Sequence, residues 1–77
     1  MSQIQIMAKM MDARDTCKRL PSWPIMIPAL KQAIFARKRI TEKDTLPAFL
    51  DLMKDAGGDP IRQMWLTAAV VEMIENE

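Results

Sequence analysis

The side chains that carry most protein chemistry are scarce in this chain. Histidine and tyrosine are absent and Cys17 is the single cysteine. The usual proton carriers near neutral pH are therefore missing, one thiol allows no disulfide within the chain, and with no histidine and no second thiol a zinc site is not expected. Ser2 and Ser22 stand where a helix cap or a turn is expected, with no base near either in sequence. Gly57-Gly58 is too little for a phosphate-cradling loop, and the carboxylates fall on expected solvent faces or at helix ends. The expectation is a non-enzymatic protein with no metal and no cofactor. Cys17 lies on the apolar stripe of a helix beside Lys18 and Arg19, which point away from it, and reads as a small buried hydrophobe.

Cations with an aromatic side chain among them are the other chemistry-bearing pattern. Lys31, Phe35, Lys38 and Arg39 project in similar directions from one helix, with Arg37 on an adjacent arc and Lys43 just beyond. Phosphate-pairing cations around a stacking ring are the composition of a nucleic-acid site. The competing explanation is intramolecular, because charge is sorted along the chain. Residues 1 to 43 hold nine cations and three anions, a net +6, whereas residues 44 to 77 hold two cations and seven anions, a net −5. Halves of opposite sign attract each other within one chain or between two copies. The expectation is that Lys38 and Arg39 dock on the acidic half. DNA reading by a helix-turn-helix is disfavoured, because the helix that would enter the groove opens behind Asp55 and Asp59, which repel phosphate.

These groups have to be placed by helices. Apolar positions recur at helical spacing and β-branched runs are few, which predicts an all-α fold, a single helical domain over residues 1–77. The first helix is expected from Gln3 to Arg19 with Ser2 as N-cap and Ile6, Met10, Ala13 and Cys17 on one stripe, Met7 and Met11 beside it. Gln3-Ile4-Gln5-Ile6 also alternates with period two, which leaves a short edge strand open for residues 2–7 and makes only the middle of the helix secure. Pro21, Pro24 and Pro28 predict an apolar connector from Leu20 to Pro28, because each proline lacks an amide donor and biases the preceding residue toward extended geometry. The second helix is then expected from Pro28 to about Arg39 and the third from near Thr45, stopped by Gly57-Gly58. Asp59-Pro60 reads as N-cap and first helical residue of a fourth, running to about Asn76.

That fourth helix is apolar nearly all round, which predicts burial on more than one side and a compact four-helix bundle completed by oligomerisation. The expected oligomer interface is Met64, Trp65, Val70, Met73 and Ile74. The expected partner-binding surface joins the first helix to the proline-rich connector: Met7, Met10, Met11, Trp23, Ile25 and Met26, methionine for its adaptability and Trp23 as the anchor. Lys31, Phe35, Arg37, Lys38, Arg39 and Lys43 are the alternative nucleic-acid contacts. No apolar run reaches the roughly 18 residues that span a bilayer, and the lone thiol with no signal peptide suggests the cytoplasm.

In size and composition the chain resembles the small helical regulators of bacteriophages and other mobile elements, such as antirepressors and inhibitors of host proteins. No motif carries that resemblance residue by residue. It implies a homo-oligomer that binds another protein, a DNA-binding regulator being one candidate, and modulates or inhibits it. A phage structural or assembly factor is the alternative that differs mainly in the partner.

Overall fold

A computed structural model describes residues 2–76. Among them the chain forms four helices and no strand: α1 (Gln3–Lys18), α2 (Trp23–Thr41), α3 (Thr45–Asp55) and α4 (Pro60–Glu75). The radius of gyration is 11.9 Å, close to the value of about 11.5 Å expected for a globule of this length.

Local signals account for most helix ends. The Ser2 side chain accepts from the Gln5 amide, and the Gln5 side chain accepts from the Ser2 amide, a reciprocal capping box that decides residues 2–7 in favour of helix over strand. Gly57 takes φ 61° after the end of α3, as expected of a glycine stop. Asp59 accepts from the amides of Ile61 and Arg62 at 3.0 and 3.3 Å and starts α4. Glu42 ends α2 at φ 54°, a left-handed position where an L side chain is unfavourable.

The proline-rich segment differs from the sequence expectation. No extended connector runs to Pro28; α2 already begins at Trp23, with Pro24 in its first turn and Pro28 inside it. Pro24 fits because first-turn amides have no intrahelical acceptor. Pro28 fits less well, since its ring takes the place of the amide that would donate to the carbonyl of Pro24. Packing outweighs that loss. Ile27 and Ile34, two turns apart, are both buried, and Met26 and Leu30 pack on the same core, so one face of α2 is filled on both sides of the proline.

α4 is the centre of the molecule, packed against α1, α2 and α3. Seven of its residues are buried: Trp65, Leu66, Ala68, Ala69, Val70, Val71 and Met73. Cys17, Ala48, Ala68 and Ala69 are all at 0% exposure, and such small side chains let neighbouring helices approach closely. Three helices of the same chain converge on α4 and bury these residues.

Charge segregation also finds an outlet within the chain. Arg14, buried on α1, reaches Glu72 (3.2 Å) and Glu75 on α4 as well as its neighbour Asp15 (2.6 Å). The hydrogen bonds that Arg14 donates to Glu75 and then to Asp15 raise the guanidinium pKa well above its ordinary value, so Arg14 stays charged. Arg37 holds Asp55 at 2.6 Å and Lys43 holds Asp51 at 3.2 Å. All three ties between separate helices or their ends join the basic first part to the acidic second. They use Arg14, Arg37 and Lys43, whereas Lys38 and Arg39 make no ion pair among the described residues.

Two outcomes are expected. Pro28→Ala restores a donor in mid-helix at an exposed position, and should stabilise the protein by about 1 to 2 kcal/mol, the helix-interior proline penalty less the unfolded-state rigidity it forfeits; a lower Tm would contradict the helical reading of this segment. Arg14→Ala should cost about 2 kcal/mol, below the full penalty for breaking a buried pair because Glu75 and Asp15 can turn to water. Replacing Arg14 and Glu72 together by Met should recover part of that loss, checked by denaturant melts of the two variants.

Candidate interaction surfaces

With the core assigned, α1 stands out. Residues 2 to 9 are helical from Gln3 onward yet none of them is buried. The inner side of α1, toward α4, carries Met10, Arg14 and Cys17; the outer side carries Ile4, Met7, Ala8 and Met11, which line a shallow groove with Gln3. The spacing i, i+3, i+7 puts Ile4, Met7 and Met11 on one stripe. Their exposures are 82%, 45% and 39%, so α1, unlike α4, leaves an apolar stripe uncovered, as α3 does on a smaller scale at Leu46 and Leu50.

The expected partner-binding residues divide accordingly. Met7 and Met11 lie on the open stripe, Met10 packs against the core, and Ile25 is 76% exposed on the first turn of α2. Trp23 and Met26 face inward. The ring of Trp23 lies 6.4 Å from that of Trp65, tilted by 38°, so the two tryptophans, assigned different roles from sequence, form one aromatic pair. This pairing follows from α2 beginning at Trp23, which brings its first turn onto α4.

The expected oligomer interface is largely interior. Trp65 and Met73 are buried and Val70 is completely so, while Met64 and Ile74 are partly buried against the same core. Ile74 lines a surface hollow with Lys38, Leu46 and Pro47. The apolar circumference of α4 is real, but its neighbours cover it.

A cleft of about 390 Å3 opens where α2, α3 and α4 meet. Met26, Leu30 and Ala33 form one wall, Leu52, Asp55 and Ala56 another, and Ile61, Arg62, Trp65 and Leu66 the third. Sequence reasoning named Met26 and Trp65 for separate tasks and missed that they share this cleft. The available signal was Ile61 and Arg62 in the first turn of α4, an apolar and a cationic residue beside the α3–α4 turn.

On α2, Phe35 is exposed and the ammonium of Lys38 sits 5.7 Å from its ring centroid, within cation–π range. Arg37 and Lys43 are engaged with Asp55 and Asp51. Of the six alternative nucleic-acid residues, Lys31, Phe35, Lys38 and Arg39 therefore remain without a carboxylate partner among the described residues. Lys38 and Arg39 also occupy the last turn of α2, where cations suit the helix dipole.

Cys17 is fully buried, its Sγ 4.0 Å from the Met64 carbonyl oxygen. Burial pushes its thiol pKa up, away from the thiolate that a nucleophile requires. Among the described residues no three histidine, cysteine or carboxylate groups converge as metal ligands, and no helix is long and apolar enough to cross a membrane.

Comparison with protein-family models, curated proteins and solved structures returned no match.

The tryptophan pair generates a prediction. Trp23→Ala should lower stability by about 2 to 3 kcal/mol, somewhat under the usual cost of emptying a core tryptophan site because Trp23 is only partly buried. Thermal or urea melts measure it; an unchanged midpoint would show that Trp23 stands off the core as a free anchor.

Proposed function

We propose that the protein is a small non-enzymatic regulator that self-associates and binds a partner protein along the outer face of α1, modulating or inhibiting that partner. The observation that carries this reading is the pair of apolar faces on α1. One is matched by α4. The other, Ile4, Met7 and Met11, contributes nothing to the core of its own chain and is held in helical form by the Ser2–Gln5 capping box. Helices with apolar anchors at i, i+3 and i+7 bind by laying that face in a groove or against another helix. Methionine adapts such a face to partners of different shape. Small phage and mobile-element regulators, and phage assembly factors, are the settings in which a chain of this size and composition would act this way.

A nucleic-acid reading is the alternative, favoured by Lys38 over the exposed ring of Phe35 with Lys31 and Arg39 nearby. Phe35 would stack on a base and the cations would pair with phosphates.

One set of variants separates the two. Met7→Glu combined with Met11→Glu should leave the thermal midpoint within about 2 °C of the parent, as is usual for surface substitutions. It should also weaken self-association in sedimentation equilibrium and partner binding by tenfold or more. If that variant associates and binds as the parent does, the α1 reading fails. A nucleic-acid binder would instead lose affinity with added salt, with a log–log slope near −2 for about three contacts to a single strand, and Phe35→Ala would abolish binding.

A further inference from the structure

The cleft between α2, α3 and α4 is separate from the α1 stripe and differs from it in kind. It is concave, walled by three helices, and lined mainly by aliphatic and aromatic side chains, with the indole of Trp65 and the side chain of Leu66 deepest. Its 390 Å3 lies near the lower end of the range of about 300–1,000 Å3 typical of small-molecule sites. That size suits one alkyl chain of medium length or one ring.

The charges at its rim select the ligand's head. Asp55 and Arg62 both line the opening. The Asp55 carboxylate is already held by Arg37 at 2.6 Å, and Asp59 is turned to the backbone amides of Ile61 and Arg62. The Arg62 guanidinium is exposed and makes no ion pair among the described residues. One unmatched guanidinium beside an apolar cavity is the complement of one carboxylate on an apolar body, since guanidinium and carboxylate pair through two parallel hydrogen bonds.

We propose that this cleft binds a small apolar monocarboxylate, the chemical class of medium-chain fatty acids, with its chain against Met26, Leu30 and Trp65 and its carboxylate on Arg62. The site does not depend on the α1 reading, and either can fail without the other.

The test uses the full chain and decanoate, kept below the concentration at which it forms micelles. The protein has two tryptophans, so two indole N–H resonances report binding by NMR. Decanoate should shift the Trp65 resonance saturably. Arg62→Gln, a surface change that leaves the core intact, should weaken decanoate binding about tenfold, while decanol should bind parent and variant alike. Ala33→Phe, which fills the wall of the cleft, should abolish both. Absence of a saturable shift overturns the proposal, as does equal decanoate affinity in Arg62→Gln and the parent. A dimer in sedimentation equilibrium that Leu30→Glu dissolves would show that a second copy covers the cleft, and would overturn it too.

Discussion

Everything in this structure depends on α4 giving up its exposed surface. A chain of 77 residues buries a smaller share of its surface than a larger domain does and has little margin in its core. It resolves this by surrounding one helix with the other three rather than by arranging four equivalent helices around a shared axis. The alanines at 68 and 69 and the valines at 70 and 71 make α4 narrow enough to be approached from several sides. The polar residues that remain on it are placed where they can be used. Glu72 and Glu75 at its end receive Arg14 from α1, so the most buried charge of the molecule ties the central helix to the one that packs on it most extensively.

Helix number, the glycine stop at Gly57 and the Asp59-Pro60 start could be read from the sequence because each rests on a local rule: periodicity, a left-handed position, a cap. The proline segment was misread because the same local rules, applied to Pro28, ignore tertiary packing. Ile27 and Ile34 reward a continuous helix by more than one lost backbone hydrogen bond costs. Residue type showed that α4 must be covered, but not that three short helices could converge on it. Arg14 was missed as a tie because a cation inside the stripe Met10, Cys17 looks like a flaw until Glu72 and Glu75, one turn apart, are brought opposite.

The candidate surfaces were legible only in part, for a related reason. Met7 and Met11 could be placed on α1, but which of its two apolar faces meets the core depends on where α4 lies. Trp23 and Trp65 have identical side chains far apart in sequence; nothing in their types shows that they touch. Charge segregation was visible at once, and the chain uses it internally through Arg14, Arg37 and Lys43. Proximity in sequence to the run at 37 to 39 did not show which cation would find a carboxylate. Position on the helix did: Arg37 shares an arc with the core residues Ile34 and Leu30, and it is the one that reaches α3.

The α1 stripe and the cleft differ in shape, and the shapes constrain their occupants differently. The α1 stripe is shallow and open along its length, which suits a second helix or another extended surface laid against it. The cleft is concave and holds a limited volume, so it is filled from within by a side chain or a small ligand whose charge matches the unpaired Arg62. The stripe lies on α1, whose inner face is locked to α4 through Cys17 and Arg14, and the cleft lies among α2, α3 and the first two turns of α4. Occupancy of the cleft would brace α2 and α3 against α4. Occupancy of the stripe would load α1 alone. Because α4 packs on α1 and also lines the cleft, it offers a route by which a ligand in the cleft could be felt at the stripe, alongside the tight turn that joins α1 to α2.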